Sequence, residues 1–291
     1  MNRENRGLLL GFIGVTIFAM TLPMTRLAVG PETAPQLSPT FITSGRASCA
    51  ALFSALYLLY ARAALPQWRH LPYFVLTAAG TAIGYPFFLG LALRHVESMH
   101  AAVVSGLMPI ATAACAALWF RQRASIGFWS CALIGCGLVI AFALYNGAGR
   151  FSIADGYLLL AILSTAIGYV AGAQASREVP SEQVICWALI LILPFTLPVA
   201  WWTRPTHAVE SSAWLAFAYV TLFSMWLGSI VWYRGLASGG TMRVSQVQLL
   251  QPFLSLIFAV PVLGEPFDPA TVVFSMAIVA VVFVGKRMQI N

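Results

Sequence analysis

The amino-acid sequence predicts an all-α integral membrane protein with ten transmembrane helices. Of its 291 residues, 60% are hydrophobic and only 9% are charged, whereas soluble domains carry about 25% charged residues. The charged residues leave nine uncharged intervals of 17 to 26 residues, which are 7–25, 70–93, 98–120, 124–149, 156–176, 183–203, 211–233, 244–264 and 269–285. Each interval is close to the ~20 apolar residues that a helix needs to cross the hydrocarbon layer. A tenth stretch, 33–61, is interrupted only by Arg46.

Other classes of protein conflict with this pattern. A transmembrane β-barrel alternates apolar and polar positions, and the run AIVAVVFVG at 277–285 does not. The net charge of +7 does not indicate a nucleic-acid partner, because the basic residues are dispersed instead of clustered on one face. A signal peptide is the alternative for the first run, but its 19 uncharged residues suit a full span.

The connectors between the spans predict the orientation, because basic residues collect in loops that stay in the cytoplasm. With the N-terminus inside, one basic residue, Arg46, lies in the membrane. The four basic residues on the outer side are Arg26, Arg94, Arg150 and Arg204. The eleven on the cytoplasmic side are Arg3, Arg6, Arg62, Arg69, Arg121, Arg123, Arg177, Arg234, Arg243, Lys286 and Arg287. Ten crossings then place both termini in the cytoplasm. The excess of basic residues on that side is the pattern that we expect of an inner-membrane protein.

An internal repeat divides the chain into residues 1–150 and 151–291. A shift of 143 residues lays LMPI at 107–110 over LQPF at 250–253 and so pairs Pro109 with Pro252. Polar residues share one helix face around each proline, with Ser245, Gln248 and Ser255 in the second copy and Ser105 and Thr112 in the first. Because each half has five spans, the second half crosses the membrane in the opposite sense. Inverted repeats of this kind are typical of secondary carriers, whose substrate site lies near mid-membrane between the repeats.

Two stretches resemble the repeated signature of the drug/metabolite transporter superfamily. They are HAAVVSGLMPIATAACAALWF at 100–120 and GLASGGTMRVSQVQLLQPFLSLIFAVPVLGEPFDP at 235–269. In the family pattern, small residues precede a proline within a helix that ends in Leu-Gly-Glu. The second copy keeps Leu263-Gly264-Glu265, whereas the first reads Phe120-Arg121-Gln122. The chain is similar to the ten-helix EamA-type exporters of bacterial inner membranes, and most similar to exporters of aromatic amino acids.

The resemblance implies a carrier that exports small metabolites, with aromatic and other hydrophobic amino acids as the expected substrates. The alternatives are an exporter of nucleosides, sugars or drugs and, as a different class, an integral-membrane enzyme. An enzyme needs a nucleophile, an acid–base pair or a metal cluster at matched depth, and the sequence offers none. We therefore predict a carrier with no enzymatic activity, cofactor or metal. The expected partners are the solute and the lipid bilayer, and the sequence is silent on oligomeric state.

The helix prolines indicate where the solute binds. A proline inside a helix frees the carbonyl four residues earlier, which in lipid must find a protein partner or a wet cavity. Pro109 frees the carbonyl of Ser105, and Pro252 frees that of Gln248. A bend needed only for packing is the alternative for each proline. Two prolines at equivalent positions beside polar residues favour a cavity lining.

Aromatic and polar residues deep in the spans complete the candidate site. Tyr85, Tyr169 and Trp226 lie well inside their uncharged intervals, and buried phenol and indole groups require a hydrogen-bond partner. A structural role between helices is the alternative for each. The predicted substrate-binding residues are Arg46, Tyr85, His100, Ser105, Pro109, Tyr169, Trp226, Gln246, Gln248 and Pro252.

Charge within the membrane predicts how transport is driven. No Asp or Glu falls at the centre of a span, and proton-driven carriers use such carboxylates to exchange protons. We therefore predict facilitated diffusion or exchange without proton coupling. For Arg46 three roles compete, namely a clamp for a substrate carboxylate, an anchor between helices, and a side chain that reaches the membrane surface.

Overall fold

The computed structural model describes residues 3–121, 125–146, 152–239, 246–266 and 268–287. All regular structure in these residues is helical. Seven helices are long and apolar enough to cross a membrane, and three shorter apolar helices cover Trp129–Phe142, Val247–Leu263 and Pro269–Gly285. The prediction of an all-helical, multi-pass membrane protein is confirmed. Ten crossings, two inverted repeats and cytoplasmic termini stay predictions.

The helices follow one another with short connectors. In chain order they are α1 (Arg3–Ala19 and, beyond Met20, Thr21–Val29), α2 (Pro39–Tyr60), α3 (3₁₀ turn Trp68–His70, then Leu71–Thr77, Ala78–Gly84 and Tyr85–His95), α4 (Ser98–Ser105 and Met108–Trp119), α5 (Ile126–Asn146), α6 (Ile153–Ala175), α7 (Ser181–Trp202), α8 (Ser211–Tyr219, Val220–Gly228 and Ser229–Gly239), α9 (3₁₀ turn Gln246–Leu250, then Gln251–Leu263) and α10 (Pro269–Arg287).

Local sequence fixes where several helices begin. Ser38 precedes Pro39, and its hydroxyl accepts a hydrogen bond from the Phe41 backbone at 3.1 Å, which satisfies a free N–H of the first turn of α2. Ser152 and Asp155 form a reciprocal capping box at the start of α6. Asp268 accepts hydrogen bonds from the backbone N–H groups of Ala270 and Thr271 at the start of α10, which is the capping role that its position before Pro269 predicts.

Four helices deviate from regular α-helical geometry at positions related by the 143-residue shift. The π-helical segments Ala78–Gly84 in α3 and Val220–Gly228 in α8 occupy corresponding places. α4 is interrupted just before Pro109, and α9 enters its α-helical part just before Pro252. π-Helical turns are rare and concentrate at functional sites. The irregular segments of these four helices are therefore candidates for a functional region.

Helices of the first half pack on helices of the second. α1 contacts α8, α2 contacts α7, α3 contacts α6, α4 contacts α9, and α5 contacts α10. The α3–α6 contact is very close, because a Cβ atom built on Gly80 would lie 2.7 Å from the backbone nitrogen of Gly168. Small residues permit this approach, as the Gly80/Gly84 and Gly168/Gly172 spacings predict for helix packing in membranes.

The helix ends gather on two opposite faces. His70 and Glu178 meet at 3.0 Å on the face where α1 begins, which we call the N-terminal face. His95 and Glu32 meet at 3.0 Å on the opposite face, which we call the far face. The side of α2 that faces away from the other helices carries exposed apolar side chains such as Leu56 and Leu59, as a lipid-facing surface requires.

Candidate functional site

Two adjoining cavities lie between the helices of the two halves. The larger, which we call the central cavity, has a volume of about 70 Å³. Its polar lining residues are Thr21, Arg46, Thr81, Thr165, Ser224, Ser229 and Gln251, its aromatic ones are Phe18, Tyr85 and Tyr169, and its remaining ones are Met108, Ile185 and Met225. The smaller, the proline cavity, has a volume of about 20 Å³ and shares Met108 and Gln251 with the central cavity.

Arg46 provides the positive charge of the central cavity. Its side chain projects from α2 and is buried, with 3% of the residue exposed. Nη2 lies 3.4 Å from the hydroxyl oxygen of Ser224. Nε and Nη1 are buried and have no hydrogen-bond partner among the described residues. The guanidinium therefore brings donors to the cavity that the described part of the chain leaves unused.

Hydroxyl groups from several helices surround this charge. Thr21 of α1 donates a hydrogen bond to the Ser224 oxygen of α8 at 2.9 Å, so Ser224 links α1 to Arg46. Thr165 of α6 is 2% exposed, and its hydroxyl has no partner among the described residues. The phenols of Tyr85 and Tyr169 line the same cavity. The lining thus combines one cation with neutral hydrogen-bonding groups and aromatic rings.

The proline cavity lies where the interrupted helices α4 and α9 meet. Its lining includes Ser105, Pro109, Gln248 and Pro252. Each interruption directly precedes the helical turn that contains its proline, in agreement with the loss of a backbone donor there. Ser255 also lines this cavity and donates to the carbonyl oxygen of Ala19 at 2.8 Å, which ties α9 to the point where α1 is interrupted.

Residues related by the 143-residue shift meet in these cavities. Thr81 and Ser224 both line the central cavity. Met108 and Gln251 line both cavities, and three further pairs line the proline cavity, which are Ser105 with Gln248, Gly106 with Leu249, and Pro109 with Pro252. The two halves therefore contribute corresponding positions to one continuous region.

Most of the residues predicted from sequence come together here. Arg46, Tyr85 and Tyr169 line the central cavity, and Ser105, Pro109, Gln248 and Pro252 line the proline cavity. Of the other three predicted residues, two lie elsewhere in the structure. His100 lies on the far face, 2.6 Å from Asp155, and Trp226 packs on Phe53 with 5.5 Å between ring centroids. The side chain of Gln246 lies outside the described residues.

Sequence reasoning missed six polar residues of the central cavity. They are Thr21, Thr81, Thr165, Ser224, Ser229 and Gln251. The internal repeat carried a signal for two of them, because Thr81 and Ser224 are polar at positions exactly one repeat apart. For Thr21 and Thr165 the sequence had no comparable signal, because a lone threonine in a membrane helix usually bonds to its own backbone.

The lining offers several groups that can bind a solute. In the described ranges no group of three or more His, Cys, Asp or Glu residues could hold a metal ion. At about 70 Å³ the central cavity has room for about five water molecules. Pockets that enclose drug-sized ligands measure roughly 300–1,000 Å³. A ring-bearing solute therefore enters only if the surrounding helices move apart.

Comparisons with known proteins find similar proteins along almost the whole chain. The model of the EamA-like transporter family matches residues 5–145 and again residues 152–285. The chain is 41% identical to the "Uncharacterized transporter YdeK" of Bacillus subtilis, over 99% of each chain. It is 21% identical to the "Uncharacterized transporter sll0355" of Synechocystis, over 87% of this chain and 83% of that one. A solved structure titled "Crystal structure of protein" covers 97% of this chain and 96% of its own, with a TM-score of 0.63 and 19% identity, and it shares the fold.

Proposed function

This chain belongs to the EamA-like transporter family, and from that premise we propose that it is a secondary carrier exporting aromatic and other hydrophobic amino acids from bacterial cells. The solute binds in the central cavity and crosses by alternating access, without proton coupling. The observation that carries the proposal is the central cavity itself. It lies between the two halves, is lined by both, and combines rings, hydroxyls and one buried cation.

The predicted inverted repeat supports alternating access. Carriers built from two such repeats expose a mid-membrane site to either side by rocking one repeat against the other. The family model matches once before residue 150 and once after it, and the corresponding positions Thr81 and Ser224 face one cavity. Irregular backbone in α3, α4, α8 and α9 borders the same region, as expected where helices must bend.

The chemistry of the lining supports an amino acid with an apolar side chain. The rings of Phe18, Tyr85 and Tyr169 offer stacking surfaces, and aromatic pairs prefer offset or edge-to-face geometry. The guanidinium of Arg46 provides donors for a carboxylate, and the Gln251 amide offers both a donor and an acceptor.

The distribution of acidic residues supports uncoupled transport. Proton-driven carriers hold a titratable carboxylate in the membrane. Here all nine Asp and Glu residues lie in connectors or in the first turn of a helix. The solute gradient, or exchange against a second solute, then drives the flux. With basic connectors at the N-terminal face, that face is the cytoplasmic one.

The test is transport by the purified full-length chain in liposomes. Labelled phenylalanine, tyrosine, leucine, nucleosides and sugars are supplied outside, with the same unlabelled solute inside. We expect saturable uptake of the amino acids that the internal solute accelerates, and no change when a proton ionophore is added. Inert aromatic and branched amino acids would refute the substrate class. Uptake that the ionophore alone abolishes, with the solute gradient intact, would refute uncoupled transport.

A further inference from the structure

Arg46 lines the central cavity, where no described residue provides a carboxylate as its counter-ion. We propose that it binds the solute carboxylate directly and that the carrier therefore binds net-anionic 2-oxo acids more tightly than the zwitterionic amino acids with the same side chain. This inference rests on the proposed function, because it assigns the solute of the central cavity. Beyond the proposed function, it states the net charge of the solute that binds most tightly.

The Arg46 guanidinium is buried and only partly hydrogen-bonded by the described residues. A charge removed from water is strongly unfavourable unless it is paired and hydrogen-bonded. Arg46 is 3% exposed, and only Nη2 has a hydrogen-bond partner among the described residues, the Ser224 oxygen at 3.4 Å. Nε and Nη1 are left for a ligand. A guanidinium donates charge-assisted N–H···O bonds to a carboxylate, and each of these two nitrogens offers one such bond.

The described residues of the chain do not supply this carboxylate. The nine acidic residues are Glu4, Glu32, Glu97, Asp155, Glu178, Glu182, Glu210, Glu265 and Asp268. None is among the described residues that line the central cavity. Arg46, by contrast, is the eighth residue of α2 and lines that cavity together with Tyr85 and Tyr169. A solute anion is thus the group that completes the site.

The rest of the lining explains why an amino group is disfavoured. In an amino acid bound through its carboxylate, the ammonium group lies about 5 Å from the guanidinium, where two positive charges repel in a medium of low permittivity. A carboxylate would offset the charge of the ammonium group, and the polar side chains beside Arg46 in the central cavity are hydroxyls, phenols and the Gln251 amide. A 2-oxo acid replaces the ammonium by a carbonyl, which accepts hydrogen bonds from hydroxyls such as that of Thr165.

The experiment compares three probes that share one ring, which are phenylpyruvate, phenylalanine and phenethylamine. Binding to the purified full-length chain is measured by calorimetry and by the shift of the unfolding temperature. We expect phenylpyruvate to bind about tenfold or more tighter than phenylalanine, a ratio of the size that one unfavourable charge contact produces, and phenethylamine not to bind.

Variants separate an anion site from a structural anchor. Arg46→Gln should abolish phenylpyruvate binding and should raise the unfolding temperature of the ligand-free protein, because an unpaired buried charge is removed. An anchor between helices predicts the opposite change in unfolding temperature. Arg204→Gln is the matched control, since Arg204 stacks on Trp201 with 4.2 Å to the ring centroid, outside the cavity lining, and it should bind phenylpyruvate normally.

Every outcome decides the inference. Phenylalanine binding as tightly as phenylpyruvate would overturn the preference while leaving the carrier and its amino-acid substrates in place. Unchanged binding by Arg46→Gln would overturn the role of Arg46, and the comparison of the three probes on the unmodified chain holds even if that variant does not fold. If none of the three probes binds, this inference fails together with the proposed substrate class. Liposome flux of another solute would still support the proposal that the chain is a carrier.

Discussion

The carboxylate of Glu265 caps the first turn of α4 through Ser98, whose backbone N–H donates to Oε1 at 2.7 Å and whose hydroxyl donates to Oε2 at 3.0 Å. The backbone N–H of Met99 adds a third bond at 2.9 Å. Glu265 follows α9 in the second half and α4 belongs to the first half, so this contact joins the two halves on the far face. The Leu-Gly-Glu motif ends in that residue, and Gly264 adopts the left-handed conformation that ends α9.

Replacing Glu265 by Gln should weaken this closure. A carboxylate at a helix N-terminus is stabilised by the free N–H groups and by the helix dipole, and hydrogen bonds to charged groups contribute about 1.5–3 kcal/mol. The amide keeps the shape but loses the charge and one acceptor. We expect Glu265→Gln to lose about 1–3 kcal/mol of stability, measured by thermal unfolding in detergent. Glu32→Gln is the control, because Glu32 is exposed, and an equal loss there would contradict the capping role.

Replacing Glu97 by Gln should have the opposite effect. Burial raises the pKa of Glu97, and the neighbouring Glu265 carboxylate raises it further. A carboxylate whose pKa is raised in the folded protein is destabilising when ionised, and this cost disappears as pH falls below the folded pKa. Glu97→Gln should therefore unfold at a higher temperature than the unmodified protein at pH 7, and the gain should vanish in acid. A gain that persists unchanged below pH 4 would point to another cause.

A methyl group at Gly80 should separate two packed helices. Its Cβ would lie 2.7 Å from the Gly168 nitrogen of α6 and would also meet the Ser164 carbonyl, and both are backbone atoms that cannot turn aside. Overpacking of this kind costs typically 1–3 kcal/mol. We expect Gly80→Ala to lower the unfolding temperature. Gly137→Ala is the matched control, because nothing lies within 4 Å of its added Cβ, and it should be neutral or stabilising. If Gly80→Ala and Gly137→Ala unfold at the same temperature, α3 and α6 can move apart to accept the methyl group.

Residue depth and the internal repeat predicted much of the site, whereas helix rotation could not be predicted. Tyr85 and Tyr169 were identified by depth in their uncharged intervals, and Pro109 and Pro252 by the 143-residue shift; all four line a cavity. Trp226 has a similar depth, but depth does not specify which side of a helix faces inward. It lies in the π-helical segment Val220–Gly228, where one extra residue rotates the following side chains by about 100°. Its ring packs on Phe53.

Pairings between distant helix ends were likewise beyond sequence reasoning. The sequence analysis predicts His100 as a site residue, yet its side chain contacts Asp155, which is 55 positions away. A single sequence does not reveal which two helix ends meet in three dimensions. The capping of α10 by Asp268 was predictable, because donor and acceptor are separated by only two or three residues.

The hydroxyl of Thr165 gives the most direct test of the central cavity. Thr165 is buried on α6 and lines the cavity, and its hydroxyl has no hydrogen-bond partner among the described residues. We therefore expect a bound solute to receive that hydrogen bond. Valine has the same shape, and a lost hydrogen bond of about 0.5–1.5 kcal/mol weakens binding roughly twofold to tenfold. We expect Thr165→Val to raise the half-saturating solute concentration in liposome uptake by that factor without lowering expression.

Thr43→Val is the control for this substitution. Thr43 is also buried with an unpartnered hydroxyl, but it is not among the residues that line either cavity. Its replacement should leave the half-saturating concentration unchanged, and both variants should gain a little stability because an unsatisfied buried hydroxyl is removed. If the two variants change transport equally, the effect comes from the helices as a whole, and Thr165 is not a solute contact.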